Sequence, residues 1–292
     1  MPELPEVQTV VNDLNKKIKG KTILDLFYCD APKIIKGAVL ADFRKRIKNR
    51  KIERIERRAK NILFFLDKNE ILAVHMKMTE LLIIVKSLKL KVKSGKWVGE
   101  NLPTELKDPK NQFIRLVFNI SGGLIMAFSD LRKFGEFKLV KMDYLTQIES
   151  KLGPEPLDHK FSLNAFENIL AISKGKIKTI LMDQSKISGI GNIYADEILF
   201  DAGIRPDRMA NKISKKEREK IFNSIRDILK KAIKNRGTSD SDYRDTDGKS
   251  GNNQNHLFVY RRTGEKCRKC GTEIKRIVIA QRGTHFCPKC QR

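Results

Sequence analysis

Two groups of residues at opposite ends of this 292-residue chain could do chemistry. Near the C-terminal end, Cys267-x2-Cys270 and Cys287-x2-Cys290 form two CxxC knuckles separated by 16 residues. Four thiolates at that spacing predict a tetrahedral Zn²⁺. Four protein ligands close the coordination, so the expected cofactor is one structural zinc. A redox dithiol would need only one CxxC. The module spans about 36 residues, too few to bury much core, so the metal would hold it folded. Between the knuckles, Glu273 to Ala280 and His285-Phe286 predict two strands, with Gln281-Arg282-Gly283 at the hairpin tip. Arg282 is there either an ordinary exposed turn residue or a rigid group for a groove or an extruded nucleotide.

At the other end, Pro2 follows the initiator Met, which is commonly removed before a small residue. Its α-amino nitrogen would have a pKa of about 7.7–8.0, well below lysine. Partly unprotonated at neutral pH, a secondary amine can attack a carbonyl-like carbon and give an iminium ion. Glu3 and Glu6 stand beside it. They are favourable at a helix N-terminus, and equally suited to moving protons next to a reactive amine.

The elements that must position these groups follow from patterning. Val7, Val10, Val11, Leu14 and Ile18 mark one helical face over residues 5–19, with Pro5 in the first turn and Gly20 at the stop. From Ile23 to about Val140 the signals are β. Asn61 to Leu66 and Ile71 to Met76 flank one turn, and Phe113 to Ile120 and Leu124 to Phe128 flank Ser121-Gly122-Gly123. Residues 85–110 read as a long polar, basic loop. Gly153-Pro154-Glu155-Pro156 is a linker signal. Helical patterns follow over 162–172, 176–183, about 192–202 and 214–235. Residues 237–256, rich in Gly, Asp, Ser and Asn, read as a flexible loop.

Sixty Lys and Arg against 35 Asp and Glu give a net charge of +25. A charge of that size points to a polyanion, because lysines and arginines that neutralise phosphates release counterions. The basic stretches, Lys45 to Lys60, Lys86 to Lys96, Lys212 to Lys234 and Arg261 to Lys275, also fit a merely solvated lysine-rich surface. No basic amphipathic helix with bulky anchors suggests a lipid surface. No apolar run approaches the ~18 residues of a membrane helix, and MPELPEVQTV is not a secretory signal. Five cysteines, four of them in the last 26 residues, are not a secreted disulfide framework. A reducing, cytoplasmic compartment is expected.

The pieces taken in order resemble formamidopyrimidine-DNA glycosylases, the Fpg/Nei family of base-excision repair enzymes. The resemblance rests on MPELPEV, Arg57-Arg58-Ala59-Lys60, His75-Met76-Lys77-Met78-Thr79 and Asp130-Leu131-Arg132-Lys133-Phe134-Gly135. It continues through Leu181-Met182-Asp183-Gln184, Gly189 to Glu197 and Gln281 to Pro288. The ordered set runs the length of the chain and is specific where no single motif is.

The resemblance implies an α+β, multidomain fold. An N-terminal β-sandwich with flanking helices would occupy residues 1–150. A helical helix–two-turn–helix domain with a lesion-capping loop at 237–256 would occupy 151–256. A C-terminal zinc-finger β-hairpin would occupy 257–292. The protein would act as a monomer on damaged double-stranded DNA, with the target nucleotide flipped out of the stack. Pro2 would attack C1′ and form a Schiff base. Glu3 would serve as acid and base, with Glu6 as possible support. Lys60 would donate a proton near the sugar and its phosphate; outside the resemblance it is a strand-edge surface lysine. Arg282 would hold flanking phosphates and assist δ-elimination. Met78, Arg132 and Phe134 match a void-filling trio, in which apolar side chains wedge the stack and an arginine meets the orphan base. By themselves Met78 and Phe134 read as core. Asn192, opening a helix, would bind phosphate or simply cap the helix. Lys174, Lys178 and Asn111 are further DNA-binding candidates.

Four positions depart from the family pattern: Glu80 where Gly is common, Lys133 for Arg, Asn111 for His, and Ser241 for a basic residue in an Asp-rich capping loop. The Leu4-Pro5-Glu6-Val7 opening favours the oxidised-purine branch, with 8-oxoguanine and formamidopyrimidines as substrates and β,δ-elimination after base release. The rivals are an oxidised-pyrimidine enzyme of the same fold and a non-catalytic zinc-finger nucleic-acid-binding protein.

Overall fold

The computed structural model describes residues 2–86, 91–99, 102–240 and 242–292. They divide into two compact units, Met1–Gln147 with Asn235–Gln254, and Ile148–Lys234 with Asn255–Arg292. Ser241 and Met1 lie outside the described residues.

The first unit is built on a nine-stranded sheet, with helix α1 (Leu4–Ile18) laid on it. The strands are β1 (Thr22–Cys29), β2 (Ile35–Lys36), β3 (Arg50–Arg58), β4 (Asn61–Leu66), β5 (Glu70–His75), β6 (Glu80–Lys86), β9 (Ile114–Ile120), β10 (Leu124–Asp130) and β11 (Glu136–Lys141). Their order is β2-β11-β5-β4-β3-β1-β9-β10-β6. β1 and β3 share only two register pairs, Thr22 with Lys51 and Ile23 with Arg50. At that seam the sheet folds over on itself. Phe128 of β10 and Phe137 of β11, far apart in the strand order, meet edge to face at 4.7 Å, and Phe118 stacks on Phe137 at 6.0 Å. The expected sandwich is therefore one folded sheet closed around a common core. The α1 side chains Val7, Val10, Val11, Leu14 and Ile18 enter that core. Burying each is worth about 1.5–3 kcal/mol relative to exposure.

The stretch read as a long basic loop is more structured than expected. β7 (Lys91–Lys93) and β8 (Lys96–Val98) form a small hairpin, followed by α3 (Thr104–Lys107). Val92 faces Trp97 in that hairpin, and Trp97 is buried in a satellite core with Leu81, Ile83, Ile114 and Val117. One apolar tryptophan gives the basic segment something to fold onto. Helix α2 (Leu40–Ile47) was hidden among basic residues, its only buried side chains being Phe43 and Ile47, one turn apart.

The second unit begins near α4 (Tyr144–Glu149) and carries α5 (Leu163–Ile172), α6 (Ile177–Met182), α7 (Asn192–Ala202) and α8 (Lys215–Lys234). These helices stand within two residues of the expected bounds. The 153–156 segment is not a free linker. The Gly153 N–H donates to Gln184 O at 2.8 Å, and a Cβ at Gly153 would run into the Lys186 main chain. Gln184 also clamps the turn between α6 and α7. It accepts from Gly189 N–H and donates to Ile190 O, both at 2.8 Å.

The sequence boundaries grouped 237–256 with the helical domain and set 257–292 apart. In the fold, 235–254 belongs with the sheet unit, while the cysteine module belongs with the helices. The reasons are particular contacts, described below. Among the described residues no helix is long and apolar enough to cross a membrane.

Candidate nucleic-acid site and zinc centre

In the sheet unit, Pro2 and Glu3 are buried immediately before the first turn of α1. Glu6 reaches back to accept the Glu3 N–H at 2.8 Å, and its other oxygen accepts the Thr238 N–H at 2.7 Å. One carboxylate thus ties the start of α1 to the 235–254 segment. Gly237 takes φ +79°, and a Cβ there would lie 2.9 Å from Glu6 Oε1, so only glycine lets the segment approach.

The 235–254 segment does not behave as an unattached acidic loop. Arg236 pairs with Asp13 at 2.6 Å and with Asp245 at 2.7 Å. Lys17 pairs with Asp247, and Lys110 with Asp242, both at 2.6 Å; Arg244 pairs with Asp108 at 2.7 Å. Tyr243 is buried in the main core. The aspartates that looked like composition are counter-charges for the sheet unit's own cations.

Lys60 sits in the two-residue turn between β3 and β4 and is 8% exposed. Gln8 of α1 accepts from Arg57 at 2.9 Å, and Arg57 donates to Ala59 O at 3.1 Å. That chain carries the Lys60 turn up to the first turns of α1. His75, whose register partner is Asn61, is held neutral near this turn. Burial first, then Lys77, lowers its pKa to about 4. His75 opens the His75-to-Thr79 motif, where residue type and spacing alone give it no role.

Met78, Arg132 and Phe134 are brought together on two adjacent loops. Arg132 Nη1 lies 3.2 Å from Met78 Sδ. Phe134 is 55% exposed, so it is not core as its residue type alone suggested. Asn111 is different. It is fully buried, donating to Glu105 O at 2.6 Å and Gly248 O at 3.0 Å. As placed it is a tie between loops and presents no exposed group to a phosphate.

In the helical unit, Arg282 and Lys174 are exposed. The hairpin pairs β12 (Lys275–Ile279) with β13 (Arg282–Phe286). Its tip is Ala280-Gln281, with φ of +47° and +60°, and Arg282 opens the returning strand. The expected tip, 281–283, is therefore shifted by one residue. A two-residue turn with both φ positive matches the strand twist, and holding Ala and Gln there costs about 1–2 kcal/mol each.

Asn192 is the first residue of α7, with Gly191 as the cap. Its amide donates to Gly283 O at 3.1 Å. Lys178 is 1% exposed and cannot offer its ammonium to solvent phosphate as placed. It pairs with Asp196, itself fully buried, at 2.6 Å, and donates to Thr284 Oγ1 at 2.8 Å. Asp196 also accepts the His285 N–H at 2.8 Å. The Arg282 strand is thus anchored from α6 and α7 by Lys178, Asn192 and Asp196. Asp196→Ala leaves the Lys178 ammonium buried without its carboxylate. We expect a loss of about 3–5 kcal/mol in urea denaturation. A loss below about 1 kcal/mol, the level of a surface pair, would show that the pair carries no such load.

The four cysteine Sγ atoms lie within 4.8 Å of one another. The Cys267–Cys290 and Cys270–Cys287 sulfurs are 3.9 and 3.5 Å apart. Tetrahedral Zn–S bonds of about 2.3 Å imply S···S separations of about 3.8 Å, so the donor set fits one zinc. The module is fastened to α7 as well. Glu197 accepts the N–H groups of Phe258, Val259 and Tyr260 at 2.8–2.9 Å.

A folded-sheet unit, a helix–two-turn–helix unit and a four-cysteine hairpin together define a class of zinc-finger nucleic-acid proteins. Residues 1–137 match the family model of the formamidopyrimidine-DNA glycosylase N-terminal domain. Residues 152–243 match that of its H2TH domain, and residues 264–292 that of a zinc finger found in FPG and IleRS. The formamidopyrimidine-DNA glycosylase of Herpetosiphon aurantiacus is 40% identical over 291 residues, and that of Heliobacterium modesticaldum 38% over 294, each covering 100% of both chains. A crystal structure of the Lactococcus lactis Fpg with DNA containing an abasic site superposes with a TM-score of 0.84, at 33% identity and 99% coverage of both chains. A complex of the same enzyme with Fapy-dG DNA gives 0.83 at 33% identity, covering 99% of this chain and 100% of that one. The chain belongs to the formamidopyrimidine-DNA glycosylase family.

Proposed function

We propose that this protein is a bifunctional DNA glycosylase and abasic-site lyase that removes oxidised purines, 8-oxoguanine and formamidopyrimidines, from duplex DNA. The observation that carries the reading is the buried Pro2-Glu3 start of α1 in a chain related over its whole length to enzymes of that name.

With Met1 removed, the Pro2 nitrogen attacks C1′ of the flipped nucleotide. The C1′–N bond to the base breaks, the sugar ring opens, and an iminium links enzyme to DNA. Glu3 takes and returns the protons of ring opening and elimination. Lys60, beside α1, donates a proton on the sugar-phosphate side. Glu6 has its oxygens on Glu3 N–H and Thr238 N–H, so it positions the N-terminus and the 235–254 segment. Met78 and Phe134 fill the void left in the stack, and Arg132 meets the orphan base. Arg282, Asn192 and Lys174 bind phosphates of the damaged strand. Lys178 acts through the Arg282 strand. The four-cysteine zinc is structural. A bacterial-type cytoplasm, with the nucleoid as the site of action, suits this chemistry.

Borohydride trapping of the untagged protein tests the reading. Duplex DNA with 8-oxoguanine opposite cytosine should give a covalent adduct on reduction, and β,δ-cleaved strand without it. An adduct only with an oxidised-pyrimidine duplex would move the enzyme to the sister specificity. Tight binding with no adduct on any lesion or abasic site would leave a non-catalytic binder.

A further inference from the structure

We propose that Glu80 is a positioning residue for the loops bearing Met78, Arg132 and Phe134, acting with Asp130 as a buried carboxyl–carboxylate pair that keeps one proton. The role rests on the reading of those three side chains as the stack-filling group.

Glu80 opens β6 and Asp130 closes β10, and the two are direct register partners. Both are fully buried. Each carboxyl group holds one of the two loops by its main chain. Glu80 Oε2 accepts the Met78 N–H. Asp130 Oδ1 accepts the Arg132 N–H at 3.0 Å and the Thr79 hydroxyl at 2.9 Å, and Oδ2 accepts the Gly135 N–H at 2.9 Å. The Met78 loop and the Arg132–Phe134 loop are therefore set by adjacent acids on neighbouring strands. Both Asp130 oxygens are thus occupied as acceptors. Glu80 Oε1, by contrast, is buried with no hydrogen-bond partner. An oxygen with no donor facing it is poorly suited to carry charge, and two buried carboxylates side by side do not both ionise cheaply, so the proton is assigned to Glu80.

No described cation neutralises the pair. Arg115 of β9 donates to the Asp130 main-chain oxygen and pairs with Asp30 at 2.8 Å. Lys77 and Lys138 both pair with Glu136 of β11. Burial first, then Asp130, lifts the Glu80 pKa to about 7. The sign follows directly. Below an ordinary glutamate's range both folded and unfolded chains carry the proton, and the arrangement is fully stable. As pH rises from about 4.5 to about 7 the unfolded chain ionises first, so stability falls across that window and levels above it. Above about pH 7 the second charge appears beside Asp130, and repulsion between the two carboxylates displaces the Glu80 side chain and, through the Met78 N–H bonded to it, the Met78 loop.

The test uses the full-length protein labelled at the methionine methyl carbons, with the Met78 signal assigned through Met78→Leu. In wild type without DNA, the Met78 methyl should titrate with a midpoint near 7; His75, three residues before Met78, titrates well below that. In Glu80→Gln, which keeps a neutral acceptor, the signal should be flat. On a damaged duplex, the ratio of Glu80→Gln to wild-type single-turnover rates should rise several-fold as the pH crosses that midpoint. The wild-type titration needs no variant, so a poorly folding Glu80→Gln does not remove the test. A flat wild-type Met78 signal in a protein that cleaves damaged DNA would overturn the proposal. A titrating Met78 signal in a protein that cleaves no lesion would instead overturn the functional reading and leave Glu80 as the holder of the loop.

Discussion

Acylating the Pro2 nitrogen, or leaving one extra residue in front of it, is expected to abolish the borohydride-trapped adduct and strand cleavage together. An amide nitrogen has no available lone pair, so no iminium can form. The rate on 8-oxoguanine duplex should fall by about 10⁴-fold or more, the scale of removing a nucleophile outright. Binding to the same duplex should change little, because the basic surface and Arg282 are untouched. The blocked protein therefore behaves as the binding module that competes with the enzyme reading. Glu3→Gln separates the roles further. It keeps the nucleophile but removes the proton carrier, so adducts should still form while elimination slows by about 10²–10⁴-fold. Undiminished cleavage by protein with a mass-verified blocked N-terminus would place the nucleophile elsewhere.

Removing the metal produces the second large effect. Zinc binding to small four-ligand modules carries apparent free energies of about 10–16 kcal/mol, which for such modules is folding free energy. The hairpin has little else of its own. Its apolar cluster joins Val259, Ile274, Cys267 and Cys287 to Phe200 of α7. On chelation, amide protection over β12 and β13 should collapse while that of the folded sheet persists. Affinity for damaged duplex should fall with it, since Arg282 loses the strand that aims it. Cys287→Ser should reproduce the loss in the presence of zinc. Protection of β12 and β13 that survives verified metal removal would show that Glu197 and the Lys178–Asp196 anchor suffice to hold the hairpin.

Local features of the sequence specified a great deal. The apolar face of α1, the strand runs on either side of the β4–β5 and β9–β10 turns, and the four helices of the second unit were legible because each is written in contiguous spacing. The cysteine spacing specified the metal, and the acids beside Pro2 specified the chemistry to look for. What escaped reading was set by partners remote in the chain. Lys178 and Asn111 stood as DNA-binding candidates, which presupposes polar groups open to solvent. Only the fold shows Lys178 against Asp196 and Asn111 against Gly248. The aspartates of 237–256 looked like a flexible tract until Lys17, Lys110 and Arg236 were seen opposite them.

By itself, then, the sequence determined the elements, the zinc, the family and the nucleophile candidate, because periodicity, ligand spacing and an amine's pKa are local properties. The tertiary structure alone decided which charged groups face solvent and which are buried ties. It decided that the 235–254 segment belongs with the sheet, and that Glu80 stands beside Asp130. Those outcomes depend on desolvation and on through-space pairing, and neither is encoded in the order of residues along a strand.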